Sequence, residues 1–260
     1  MKYDVIPAEA WKRQAIYVLD ECQFDNAMMS ANADELCDNE DICVLEYPVR
    51  GDSEISQTLR EKGNLKKGAV LIQSPYEKNR YVKFEDAAEQ LALDKFMYFS
   101  HFCQILGASQ VKVLIAQRVS KKHKFEARLE GDMLMPTGKG KGKVDLDMQK
   151  FQETISQMSF HDEFAGGAPD VRSAEILLAN KGLQGDANIN SLLLARRHEG
   201  NKMLSRKLDI NLNEEVQNTL QTVISFNMLL PTTALSLKSS FARDVEELYE
   251  YRLTVEVKFE

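Results

Sequence analysis

Between Arg118 and Lys143 the chain concentrates eight basic residues, Arg118, Lys121, Lys122, Lys124, Arg128, Lys139, Lys141 and Lys143, against three acids, Glu126, Glu130 and Asp132. Clustered ammonium and guanidinium groups do one kind of chemistry well. They neutralise phosphates or carboxylates and release the counterions condensed on an anionic partner. The whole protein carries a formal charge of −7, so this stretch is a positive island in an acidic chain. An acidic total argues against a general nucleic-acid coat protein, which carries a positive balance throughout. A local patch remains. It would contact an anionic surface such as nucleic acid or a membrane, an acidic protein partner, or the acidic run Asp34, Glu35, Asp38, Glu40 and Asp41 of a second copy.

The other candidate groups carry less. Met133 to Lys143 ends in an alternation of Gly and Lys from Gly138, but Gly131 and Gly138 are too far apart for a phosphate-binding loop, and Lys139 precedes Gly140 where Ser or Thr is required. His161, Asp162 and Glu163 are consecutive, and neighbours in an extended loop cannot all face one site. Neither a His-Glu-x-x-His helix nor a Cys/His ligand set is present, so no metal is expected. Asp170, Glu256 and Lys258 are the residue types of a metal-dependent nuclease but lie far apart in the chain. Asp34 to Asp41 lacks the residue pattern of a calcium loop. Arg196, Arg197, His198 and Glu199 end a helix, where cations already complement the helix dipole.

The expected function is therefore non-catalytic interaction or assembly, without a cofactor, through a basic β-meander at about 111–148. Self-association into a homo-oligomer is one form of it. Two alternatives come from other classes. One is a membrane-active, pore-forming protein whose amphipathic hairpins rearrange into a barrel. The other is a hydrolase or nuclease with a site near His161, Asp162 and Glu163.

The elements that must position the patch follow from hydrophobic period. Val111, Val113, Ile115 and Val119 alternate with polar neighbours, as do Phe125, Ala127 and Leu129, which predicts two strands. Gly138, Gly140, Gly142, Val144, Leu146 and Met148 predict a third, giving an antiparallel meander with one wet, basic face. Before it, Glu85, Asp86 and Glu89 start a helix that runs to about Leu106, apolar on nearly every face from Phe96 and closed by Gly107.

Residues 1–60 read as acidic helices up to a strand at Ile42–Leu45, followed by strands at Ala69–Gln73 and Arg80–Phe84. After a helix at 149–158 come helices at 170–181 and 186–199, a strand at 203–212, a helix from Asn213 that Pro231 stops, and a final strand, Tyr249–Phe259. The expected class is α+β, an antiparallel sheet packed on a central helix, with the order helix, strand, strand occurring twice. A chain of 260 residues accommodates a single domain. The alternative is two domains, 1–158 and 170–260, hinged at 159–169, where Gly166, Gly167 and Pro169 fall.

Cys22, Cys37, Cys43 and Cys103 are too few and too irregular for a disulfide framework, and the N-terminus lacks the plan of a signal peptide. Phe96 to Leu106 is interrupted by Ser100, His101 and Gln104 and falls short of a membrane span. A soluble, cytoplasmic protein is expected.

Overall fold

The computed structural model describes residues 2–3, 6–120, 124–130, 133–137, 143–158, 161–198, 203–230 and 250–259. They form an α+β fold of two compact units, Met1–Ala87 with Glu215–Leu248, and Ala88–Glu214 with Tyr249–Glu260.

In the first unit the organising element is strand β2 (Ala15–Asp20), buried from Ala15 to Leu19. With β1 (Lys2–Tyr3), β3 (Ile42–Tyr47), β4 (Val70–Gln73) and β5 (Tyr81–Lys83) it makes a mixed sheet of order β1-β3-β2-β4-β5. β2 and β3 are parallel, and a parallel pair needs a crossover. Helices α1 (Glu21–Met28) and α2 (Ala33–Asp38) supply it. Asp20 starts α1 with a reciprocal cap: its carboxylate accepts from the Gln23 amide at 2.7 Å, and its own amide donates to the Gln23 side chain at 3.1 Å.

Successive side chains of β2 point to opposite faces, and both faces are covered. Ile16 and Val18 pack with Cys43, Leu45, Leu71 and Leu59 of α3 (Glu54–Glu61). Tyr17 points the other way, 4.9 Å from Phe226 of a helix at Glu214–Leu229, and donates to the Val223 carbonyl at 2.9 Å. Burial on both faces explains the main departure from expectation. Residues 15–20 carry no alternation and were expected to lie among helices.

In the second unit α4 (Ala87–Ile105) buries Leu91, Phe96, Phe99, Phe102 and Cys103. Gly107 closes it at φ +77, and a Cβ there would come within 2.2 Å of the Gly167 carbonyl oxygen, so both conformation and space require glycine. The sheet beside it runs β10 (Ser205–Asn211), β11 (Glu250–Lys258), β6 (Gln110–Val119), β7 (Lys124–Glu130), β8 (Met133–Thr137), antiparallel throughout. Strand β9 (His161–Glu163) also pairs with β6.

The meander is thus present as β6, β7 and β8, but its third strand is not where alternation put it. That strand is Met133–Thr137, and Lys143–Gln157 is a helix, α5. Phe151, Thr154, Ile155 and Met158 are buried at helical spacing, and this stripe outweighs the short alternation upstream.

Helices α6 (Val171–Asn180) and α7 (Ala187–Arg197) are each capped by an aspartate, Asp170 and Asp186. Backbone hydrogen bonds are made within the segment expected as a hinge, at Phe164, and by Asp170 directly after it. The Phe164 amide donates to the Ser109 carbonyl at 2.8 Å, and the Asp170 amide donates to the Ile105 carbonyl at 2.9 Å. α8 (Glu214–Leu229) is followed by a single strand, β11, so no helix-strand-strand duplication is shown among the described residues. Among those residues no helix is long and apolar enough to cross a membrane.

Candidate interaction surface

The β6 strand decides which basic residues reach solvent. Thr254 of β11 pairs with Ile115 and Val255 pairs with Val113, so Leu114 has no partner and forms a bulge. Before the bulge Val111 and Val113 are buried. After it the phase shifts, and Ala116 and Arg118 are buried while Ile115, Gln117 and Val119 take the outer face.

Arg118, read from the sequence as part of the patch, consequently points inward and is 3% exposed. Its guanidinium donates to Glu89 at 3.2 Å and lies 5.8 Å from the Tyr251 ring centroid. The Tyr251 hydroxyl donates to the same Glu89 oxygen at 3.2 Å, and burial pushes its ionisation well above the ordinary phenol range. Asn213, fully buried, ties the start of β11 to α4. It accepts from the Tyr251 amide at 2.6 Å and donates to the Ala88 carbonyl at 2.9 Å. This brings a cation, an acid and a phenol together inside the unit. Sequence reading placed none of these partners together.

Lys124 and Arg128 do reach solvent, with side chains 55% and 61% exposed. They flank Glu126 on β7. Glu126 accepts from Arg128 at 2.7 Å and from Gln117 at 2.8 Å, with Lys124 at 3.4 Å. The Arg128 hydrogen bond, aided by Gln117 and Lys124, holds the Glu126 carboxyl below the usual carboxylate range. The rest of the outer face is equally mixed. Lys207 is 3.9 Å from Glu256, Arg252 bonds Glu250 at 2.5 Å, and Thr254 donates to Asp209 at 2.6 Å. Along the described strands, then, positive charge is matched by negative.

The surplus lies in the connections. Lys121, Lys122, Lys139 and Lys141 fall outside the described residues, and Lys143 opens α5 with its side chain also outside them. Backbone register nevertheless relates the points from which these segments leave. Val119 is opposite Lys124, and Glu126 is opposite Thr137. The end of β6, the start of β7 and the end of β8 therefore lie at the same end of the sheet.

The other candidate groups are dispersed. His161 is exposed beside Gln110 and 3.2 Å from Glu163, whereas the neighbouring Asp162 turns inward and accepts from Ser100. Alternation along β9 therefore turns Asp162 away from His161 and Glu163, which stay together on the outer face. Arg196 is buried, donates to the Leu106 and Met203 carbonyls at 3.2 and 3.0 Å, and sits 4.2 Å from the Phe259 ring centroid. Its helix-end position is a packing role. Asp170 is spent on capping α6, and Glu256 faces Lys207.

Cys43 and Cys103 are buried and Cys22 is exposed. Burial, with the nearby Asp162 charge, pushes the Cys103 thiol up. Among the described residues no group of three or more His, Cys, Asp or Glu side chains could hold a metal ion. An open cleft of about 480 Å³ between α2 and α8 is lined mainly by Glu35, Asn218, Gln221, Thr222 and Ser225. What can be said of function rests on this geometry, because no family model, curated protein or solved structure matches the chain.

Proposed function

We propose that the protein is a non-catalytic interaction or assembly protein that engages an anionic partner with the end of the β6–β7–β8 meander from which residues 121–122 and 139–143 depart. One observation carries this reading. The register puts Val119, Lys124 and Thr137 at one end of the sheet, and these are the described residues that border the two lysine-bearing segments in sequence. Ion pairing along the strands supports the same choice. Arg128 and Lys124 are partly neutralised by Glu126, which leaves the connections as the source of net positive charge. Among the described residues Cys22, Cys43 and Cys103 are free thiols, which is compatible with a reducing, cytoplasmic setting.

Replacing Lys121, Lys122, Lys139, Lys141 and Lys143 with Glu tests the proposal. Association with anionic liposomes, nucleic acid or an acidic polypeptide is measured at low salt by co-sedimentation. The variant loses association, and binding by the parent protein weakens steeply with salt as counterions are released. Equal binding by parent and variant to every polyanion, or equal failure of both, removes the patch from consideration.

A further inference from the structure

We infer that the antiparallel sheet of the second unit is closed to an added strand at both of its edges, so that a second copy of this chain cannot extend it by main-chain pairing. Among the described strands β8 and β10 end the sheet. Each turns one row of backbone groups away from its neighbour, and such rows are templates for strand addition between molecules unless something covers or interrupts them.

At β8 the interruption is Pro136. It lies opposite Ala127 in the β7–β8 register. Proline has no N–H to donate, so this pair is of the non-hydrogen-bonded kind, and the ladder to β7 runs through the flanking pairs, Arg128 with Met135 and Glu126 with Thr137. Leu134 and Pro136 therefore turn their backbone to the open side. A strand approaching there finds a carbonyl at position 136 but no donor, near the end of an edge strand of only five residues.

β10 is closed in a different way. The Leu212 amide donates to the Tyr251 carbonyl and the Phe259 amide to the Leu204 carbonyl, both at 2.8 Å. The register between them is unbroken from Ser205 opposite Lys258 to Asn211 opposite Arg252, so Arg206, Leu208 and Ile210 bond β11. Ser205, Lys207, Asp209 and Asn211 then turn their backbone outward. Two of those four carbonyls are already taken. Asn188 of α7 donates to the Asp209 carbonyl at 2.6 Å, and Lys95 of α4 donates to the Asn211 carbonyl at 2.7 Å. Lys207, with its side chain 65% exposed, adds an edge charge that opposes stacking against the same strand of another copy.

A partner of this sheet consequently meets it through side chains. The inference concerns main-chain groups, uses no lysine of the meander connections, and stands or falls independently of the proposal above.

Sedimentation velocity of full-length variants, from micromolar to near-millimolar concentration, tests each edge without any ligand. Pro136→Thr supplies the missing donor and self-associates at concentrations at least about tenfold below any association of the parent protein. In the associated variant, amide hydrogen exchange slows at positions 134 and 136, on the open side. Met135→Thr, on the same strand but with its amide turned to β7, sediments as the parent does. Asn188→Ala frees the Asp209 carbonyl and shifts association in the same direction as Pro136→Thr.

A Pro136→Thr protein that associates no more than the parent overturns the inference at β8, and so does equal association of Met135→Thr. Pro136→Ala restores the same donor by a smaller change and decides the matter should the threonine variant not fold. An Asn188→Ala protein that associates no more than the parent overturns the inference at β10. Asn188 is exposed in the first turn of α7, so alanine there leaves the helix in place.

Discussion

The guanidinium of Arg118 lies 3.2 Å from the Glu89 carboxylate, with side chains only 4% and 16% exposed, although Arg118 follows a stretch of β6 whose alternation would have turned it to solvent. Removing one member of such a pair leaves the other charge buried without its partner. Arg118→Gln is expected to lower stability by about 3 kcal/mol. Arg128→Gln, at an exposed pair on the next strand, costs less than about 1 kcal/mol. Urea midpoints of the two variants give the comparison, and similar losses for both would contradict the inward placement of Arg118.

The bulge at Leu114 makes a second expectation. Deleting Leu114 restores a one-to-one ladder with β11 and keeps Ala116 and Arg118 on the inner face, so the variant folds with a loss near 1 kcal/mol. Deleting Gln117 instead turns Arg118 outward and strands Glu89. That variant should lose at least about 3 kcal/mol. Thermal melts in which the Leu114 deletion is the worse of the two would mean that the bulge itself holds the sheet.

Lys95 is fully buried, 2.9 Å from Asp186 and 2.7 Å from the Asn211 carbonyl, and Asp186 also caps α7 through the Asn188 and Ile189 amides. Lys95→Met alone leaves a buried carboxylate without its cation and costs about 3 to 5 kcal/mol. Lys95→Met with Asp186→Asn recovers much of this loss, since asparagine caps a helix nearly as well and carries no charge. A double-mutant cycle measures the recovery; strictly additive losses would show that the two side chains do not act as a pair.

Alkaline pH should destabilise the first unit. Burial pushes the Cys43 thiol and the Tyr81 phenol each up to about 12, while the unfolded chain ionises them near their ordinary values of 9.0 and 10.0. Above those values the unfolded state has released protons that the folded state retains, so unfolding gains free energy as pH rises. The contribution is fully present below about pH 9 and is lost progressively toward about pH 12. Urea midpoints read by tyrosine fluorescence should fall over this window, with a shallower slope in Cys43→Ala. A flat profile would place both groups in water.

The sequence by itself determined the elements whose apolar period is long and unbroken. The helix at Ala87–Ile105, strand β7, helices α6 and α7, and the final strand follow from local spacing, because one buried face imposes one repeat. It also determined that positive charge concentrates at residues 118–143 in an acidic chain. Tertiary structure decided the rest. Ala15–Asp20 is a central strand because helices cover both of its faces, which erases the alternation that would announce it. Lys143–Gln157 is helical because a buried stripe downstream extends the helix back over residues that alternate only by chance. Whether Arg118 belongs to the surface or the core depended on one unpaired residue, Leu114, whose extra place in the ladder is set by β11, more than 130 residues away. A two-residue period read along one strand assumes an even ladder, and only the partner strand reveals where the ladder slips.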